Sequence, residues 1–404
     1  MVGGARHGPQ LEPLAIPTPP LIVLGAGAGQ LGAYAAARRL GIETIACDFD
    51  PAPFCVREGL ADRFAQISAM DAGAVEALAR RERAGGLISP GTDGPVQVAA
   101  EVAAALGLPH PMDAATAARV TDKRAQRRAF DRAGVPHPAW SEDGTGLPPD
   151  ARVVVKPAAA QGQRGLEIIE PGGDLRTAIT AAQEVSRDGR ALCEEFVEGP
   201  ELTVNAFAEA GRFVSLTVTD RERALAFGVA TAHLYPSRHA VAAVVAAAEA
   251  ACRALGVTAG PTYTQVLLTP DGPRVMEVAA RLGGGHDAEL CHAALGVDLS
   301  AAAVTAALGR PPGSLAPTRD QAAVVRFLVA PAGRLVRVEG LAEARALPGV
   351  ELAHVYRPPG ALIAPLLRGP DRAGFVLATG ATREQAEASA RAAEAEIRFV
   401  VEEP

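Results

Sequence analysis

Apolar positions follow two rhythms along the 404-residue chain. In the first quarter, short runs that are apolar throughout alternate with Ala-rich stretches. Leu21-Ile-Val-Leu24 ends in a glycine-rich turn over 25–32, a helical stretch covers 33–40, and a second strand over 43–47 ends at Asp48. A further strand, 86–89, stops at Pro90-Gly-Thr-Asp93 and leads into a helix over 95–106. Runs apolar on both faces, joined by helices, predict a parallel sheet with right-handed crossovers. Residues 21–112 therefore read as a small doubly wound, Rossmann-like domain.

The rhythm then changes. A helix is expected over 113–133, with Thr121-Asp122 as a cap before Lys123. Strands follow at short intervals, over 152–156, 166–169, 191–195, 202–208 and 212–219, and a long helix over 240–255 interrupts them. Strands over 263–269 and 274–278 flank Pro270-Asp-Gly-Pro273, which has turn chemistry, and predict a hairpin. The stretch 311–317 reads as a linker. Short strands and an amphipathic helix over 382–397 make 318–404 a small α+β cap. The Pro- and Gly-rich start, 1–20, lacks the apolar core of a signal peptide and reads as a flexible arm. The fold class is thus mixed, α/β in the first domain and α+β beyond it.

Composition narrows the function. Apolar residues make up 49% of the chain and the net charge is −7, so neither a disordered nor a nucleic-acid-binding profile results. No apolar run approaches the roughly 20 residues needed to span a bilayer, and a cytoplasmic protein is expected. The five cysteines have no CxxC spacing and read as buried thiols. Of the 39 basic residues only two are lysines, Lys123 and Lys156. Each is a candidate for a place that needs a compact, flexible ammonium instead of a planar fork.

Both lysines stand in phosphate-binding contexts. Lys156 ends the strand Val153-Val-Val-Lys156-Pro157 ahead of Gln161-Gly162-Gln163-Arg164-Gly165, where a flexible glycine loop can close its amides over phosphate. Thr121-Asp122-Lys123-Arg124 supplies the second ammonium. Cys193-Glu194-Glu195-Phe196-Val197-Glu198-Gly-Pro-Glu201 is either a polar strand end or a nucleotide site offering backbone to adenine and a carboxylate to ribose. Gln265 and Glu277 lie on opposite arms of the expected hairpin, an oxygen pair suited to Mg²⁺. Arg281 can steady a transferring phosphoryl group, and Gly283, Gly284 and Gly285 bring backbone close to a substrate carboxylate. An acidic strand before a structural glycine bend is the competing reading. His233 and His286 are placed near substrate or are structural. Finally, Gly27-x-Gly29-x-x-Gly32 with Asp48 fits a dinucleotide fingerprint, which leaves an NAD-dependent oxidoreductase open beside a structural turn.

Taken in order, Lys123, Lys156 with its glycine loop, Glu194 to Glu201, Gln265, and Glu277 to Arg281 resemble the ATP-grasp superfamily over about 21–310. The resemblance implies a pre-ATP-grasp domain over 21–112, an ATP-grasp domain over 113–310 with a lid at about 150–198, and the C-terminal cap. It implies that Lys123, Lys156 and the loop residues Gly162, Gln163 and Gly165 bind ATP phosphates. Glu194, Glu195, Phe196 and Val197 would take adenine, mostly through backbone, and Glu201 the ribose. Gln265 and Glu277 would hold Mg²⁺ or Mn²⁺, with Arg281 on an acyl phosphate. Ala279 departs from the family's metal-binding Asn. The ending Glu277-x-Ala-Ala-Arg281 is similar to bacterial L-amino-acid ligases, whereas Gly29-Gln-Leu-Gly32 is similar to the purine-pathway carboxylases of the superfamily. The expected activity is amide formation between small-molecule carboxylate and amine substrates at the expense of ATP. A purine-type ligase and a non-catalytic nucleotide-binding regulator are the alternatives. A homodimer through the first or last domain is compatible with the sequence.

Overall fold

The computed structural model describes residues 19–159, 165–186, 188–224 and 229–402, so the expected arm lies outside it up to residue 18. The first unit is a parallel sheet in the order Arg63–Gln66, Thr44–Asp48, Leu21–Leu24, Gly86–Ile88. Leu21–Leu24 is fully buried, because helices cover both faces of a parallel sheet. The edge strand Arg63–Gln66 and the helix Ala72–Glu82 were not legible in the sequence; the strand is half exposed and has no apolar run to mark it.

The helix expected over 113–133 is two helices, Ala114–Thr121 and Lys123–Ala133. Asp122 is extended and breaks them, and its carboxylate accepts from the amides of Arg124 (2.8 Å) and Ala125 (3.1 Å). The side-chain acceptor competes with the helical ladder and caps the second helix, which fixes Lys123 as its first residue.

Three antiparallel sheets follow, the smallest being Leu362–Ile363, Gly333–Glu339, Arg398–Glu402 in the C-terminal segment. A four-stranded one has the order Trp140–Ser141, Ala191–Glu195, Val153–Pro157, Glu167–Ile169, backed by the helix Leu175–Val185. The largest runs over eight strands: Gly272–Ala279, Gly260–Thr269, Glu201–Glu209, Arg212–Arg223, Ala230–Tyr235, Ala322–Leu328, Gly374–Gly380, Val350–Val355. Its last three strands come from the C-terminal segment, so the sheet runs unbroken into that segment through the pairing of Ala232 with Arg326. Two helices, Asp287–Leu295 and Leu299–Ala307, join the strands of the first unit and of the C-terminal segment in one apolar core. They are Ala-rich and buried nearly all round, so no amphipathic stripe announced them. The five cysteines are free and buried. Among the described residues no helix is long and apolar enough to cross a membrane.

Candidate active site

A cleft of about 590 Å³ opens between the four-stranded sheet and the near end of the eight-stranded one. In the strand Val153–Pro157 the residues alternate: Val153 and Val155 pack on the helix Leu175–Val185, and Val154 and Lys156 turn to the cleft. Lys123 reaches the same cleft from its helix start. The chain's two lysines thus converge from segments that lie in different layers.

Lys156 Nζ lies 2.6 Å from Glu194 Oε2, and Arg127 Nε donates to Glu194 Oε1 at 2.7 Å. Burial alone would raise the carboxyl's pKa; Arg127 and Lys156 outweigh it and bring it to about 2. Burial lowers the pKa of Lys156 most, Glu194 opposes this, and Arg127 and Lys123 add to the lowering. Lys123 Nζ stands 3.3 Å from Glu277 Oε1; burial pulls its pKa down, but Glu277 and Asp93 raise it overall.

Gln265 and Glu277 are direct partners in the register of the hairpin, so both side chains sit on one face of the sheet and line the cleft. Gln265 Nε2 donates to the Tyr263 hydroxyl at 3.0 Å, which leaves its oxygen for a cation. One carboxylate and one amide oxygen suit Mg²⁺ only together with phosphate oxygens and water, the usual way this ion is held. Among the described residues no cluster of three or more His, Cys, Asp or Glu could hold a metal by itself. Ala279 pairs with Tyr263 and adds no donor. Arg281 is held from two sides, Nε donating to Asp93 Oδ1 (2.6 Å) and Nη1 to the Leu282 carbonyl (2.7 Å). Burial disfavours its charge and Asp93 outweighs this, so its pKa is raised.

Several sequence expectations need correction. The Glu194 side chain is 1% exposed and spent on Arg127 and Lys156, so it offers no free contact to a nucleotide. The amides of Glu195 and Phe196 donate to the carbonyls of Ala139 and Arg152, both at 2.8 Å, and Glu195, Phe196 and Val197 line the cleft. The Glu201 carboxylate is taken by Arg221 (2.7 Å) and Arg223 (3.3 Å), because the long neighbouring strand carries both arginines beside it. Gly165 is a turn with φ +68°, where a side chain would meet Pro157 at 2.9 Å, and it is not part of the cleft wall. Gly162 and Gln163 lie outside the described residues. His286 does not line the cleft. Its ring stacks on Phe375 at 3.6 Å, and its Nε2 is 2.6 Å from the Tyr356 hydroxyl. His233 does line it, buried with its Nδ1 3.0 Å from Asp287 Oδ1, and Gly284 and Gly285 line it too.

Asp93, Arg221, Tyr263 and Arg372 also line the cleft and were missed. Tyr263 stands two residues before Gln265 in one strand, so the period of two could have found it. Arg372 comes from the C-terminal segment, and nothing local marks it. Asp48 accepts from the amides of Ala26 (2.8 Å) and Asp50 (3.0 Å).

Residues 120–285 match the family model described as ATP-grasp domain, and 326–402 match L-amino acid ligase C-terminal domain 2. The chain is 28% identical over 299 residues to the uncharacterized protein y4rH of Sinorhizobium fredii, spanning 69% of this chain and 61% of that protein. It is 30% identical over 156 residues to dapdiamide A synthase of Enterobacter agglomerans, 36% of each chain. Carnosine synthase 1 of Gallus gallus is 36% identical over 153 residues, 36% of this chain and 16% of that one. The matches thus span less than two thirds of the length of these relatives. Among solved structures, L-amino acid ligase from Bacillus licheniformis superposes with a TM-score of 0.80 at 20% identity, over 96% of this chain and 100% of that one. Phosphoribosylglycinamide synthetase from Anaerococcus prevotii gives 0.78 at 18%, over 95% and 100%. Likeness at this identity shows the fold.

Proposed function

We propose that this chain, in which 120–285 match the ATP-grasp domain and 326–402 the L-amino acid ligase C-terminal domain 2, joins a carboxylate to an amine with ATP. The carboxylate becomes an acyl phosphate with release of ADP, the amine attacks its carbonyl, and phosphate leaves. The observation that carries this reading is the convergence of Lys123 and Lys156, the chain's two lysines, on one cleft facing the register-paired Gln265 and Glu277.

The roles follow from position. Lys123 and Lys156 would meet phosphate oxygens, each kept in place by a carboxylate, Glu277 and Glu194. Leu166, Ile168, Leu267 and Met276 give the cleft an apolar wall for a purine ring, with its polar edge toward the strand end at 195–197. Gln265 and Glu277 would hold Mg²⁺, which supplies neutralisation of phosphate charge when bound. Arg281, fixed by Asp93, meets the charge that develops on the acyl phosphate, and a group already oriented needs no reorganisation during reaction. Positioning and charge neutralisation are the protein's share, with no covalent intermediate on the chain.

The test is phosphate release from Mg-ATP across pairs of amino acids, with mass spectrometry on every positive pair. Release that needs both substrates, with a product lighter than their sum by one water, is expected. ATP binding without release across carboxylates and amines of every class tried would overturn it in favour of a nucleotide-binding regulator.

A further inference from the structure

The two side chains that face a metal across the hairpin are chemically unequal. Glu277 ends in a carboxylate with two equivalent oxygens, and Lys123 Nζ stands 3.3 Å from one of them. Gln265 ends in an amide, with an oxygen that a hard cation attracts and an NH₂ group that it repels. A carboxylate serves a metal either way up. An amide serves it in one orientation only, and the last torsion of a glutamine is broad enough to allow both. A site that uses glutamine here therefore needs a second group to hold the amide.

Tyr263 stands where that group is needed. It precedes Gln265 by two residues in the strand Gly260–Thr269, so both side chains emerge on the face that lines the cleft. Its hydroxyl accepts from Gln265 Nε2 at 3.0 Å. The hydroxyl is itself fixed: Arg221 Nη1 donates to it at 3.0 Å, and the same nitrogen donates to Glu201 Oε1 at 2.7 Å. The ring has no room to swing away. Tyr263 is 8% exposed, and a methyl group on Gly283 would lie 2.7 Å from ring atom Cδ2. The Arg281 guanidinium lies 5.7 Å from the ring centre. Ala279, its partner on the neighbouring strand, has no polar side chain to take over the amide. One hydrogen-bonded row, Glu201–Arg221–Tyr263–Gln265, thus crosses three adjacent strands and ends on the amide nitrogen.

We propose that Tyr263 is a positioning residue for the metal site: its hydroxyl engages the Gln265 nitrogen and so presents the amide oxygen to the ion. The inference rests on the metal and nucleotide part of the ligase reading. Tyrosine at 263 and glutamine at 265 are then a matched pair. The hydroxyl matters only while residue 265 has two unlike ends, so a carboxylate at 265 makes it dispensable. A residue that merely supported the cleft would be needed equally with either side chain at 265, and that difference separates the two roles.

The experiment is a double-mutant cycle read by calorimetric titration with AMPPNP, with and without Mn²⁺, and needs no turnover. The quantity compared is the factor by which Mn²⁺ tightens AMPPNP binding, in the wild type, Tyr263→Phe, Gln265→Glu and the double variant. Tyr263→Phe alone should lower that factor on the order of 3- to 10-fold, the worth of one hydrogen bond, with metal-free AMPPNP affinity unchanged. In the Gln265→Glu background the same loss of the hydroxyl should change it by less than about 2-fold, because either carboxylate oxygen can meet the ion. Equal losses in both backgrounds would overturn the proposal. So would an unchanged or larger factor in Tyr263→Phe, the result expected if the hydroxyl held the amide oxygen instead. Tyr263→Leu, which also lacks the hydroxyl, carries the comparison if Tyr263→Phe does not fold. A wild type whose AMPPNP affinity ignores Mn²⁺ would sink the metal reading and this inference with it. Absence of phosphate release, with the predicted binding ratios intact, would sink only the ligase chemistry and uphold the matched pair.

Discussion

Gly29 stands against Gly284 so closely that a methyl group on it would lie 3.0 Å from the Gly284 carbonyl oxygen. The contact closes on itself. A methyl on Gly284 would reach the Gly91 carbonyl at 3.0 Å, and one on Gly91 the Gly29 carbonyl at 2.9 Å. Gly32 is tied in the same way, with Ser300 Oγ 2.6 Å and Glu289 Oε1 2.8 Å from where its side chain would be. Gly29 is thus small because the first domain seats itself against the cleft's glycine bend, and Gly32 because Ser300 and Glu289 pack against it. That accounts for the fingerprint without a dinucleotide.

Gly29→Ala should therefore act on the cleft and not on a nicotinamide. The added methyl presses on backbone, which yields less readily than a side-chain end, and the shift is passed to Gly284 and Gly285. The expected result is a loss of kcat/KM of roughly tenfold or more, with a stability change of about 1–3 kcal/mol. NADH fluorescence titration should show no binding to wild type or variant. Saturable NADH binding lost in Gly29→Ala would restore the dinucleotide reading.

Glu194→Gln tests the anchor of Lys156. The substitution keeps shape but leaves Arg127 and Lys156 as buried cations without their shared anion. Breaking a buried pair in this way is destabilising by about 3–5 kcal/mol. Urea unfolding should show that loss, and ATP affinity should fall with it. Lys156→Ala leaves Glu194 with Arg127, so it should keep most of the stability and lose most ATP turnover. If Lys156→Ala retains turnover, the phosphate role of this lysine is wrong.

Much of the site was legible because its elements are local. Lys123 could be placed from its cap, Lys156 from its strand, and Gln265 opposite Glu277 from the hairpin, each within about a dozen residues of a turn signal. What the sequence hid were partners made by tertiary contact. Arg127 reaches Glu194 across 67 positions, and Arg281 reaches Asp93 across 188. No periodicity reports such pairs. The carboxylate of Glu201 is expected on a ribose for that reason: the arginines beside it, Arg221 and Arg223, arrive from another element. The fold shows the same limit, since helices Asp287–Leu295 and Leu299–Ala307 are buried on nearly all sides and carry no stripe.

The buried carboxylates predict an acid dependence of stability. Burial raises the pKa of Asp287, but His233 and then Arg221 lower it to about 2, as Arg127 and Lys156 do for Glu194. Folded values below unfolded ones mean that the stabilisation is complete above the ordinary carboxyl range near pH 4. It is lost as pH falls from there toward 2, on the order of 2 kcal/mol for each group. Urea midpoints measured from pH 7 to pH 2.5 should stay level at first and then fall. Glu194→Gln should flatten the fall, and an equally steep curve in that variant would show that other groups govern it.

Glu277→Gln separates the metal role from the partner role of this side chain. The amide keeps an oxygen toward the cleft but loses the charge that faces both Lys123 and a divalent ion. A hard cation held by so few protein donors depends on that charge. Turnover should fall by about 100-fold or more at ordinary Mg²⁺, and the Mg²⁺ concentration for half-maximal rate should move up, with partial recovery at high metal. A pure loss of the Lys123 pair would lower the rate with no change in Mg²⁺ dependence. Because Ala279 adds no second donor, Ala279→Asp would not be a simple rescue: the position is 4% exposed and has no room prepared for a longer chain. The decisive quantity is therefore the Mg²⁺ midpoint of Glu277→Gln, and an unshifted value would remove Glu277 from the metal site.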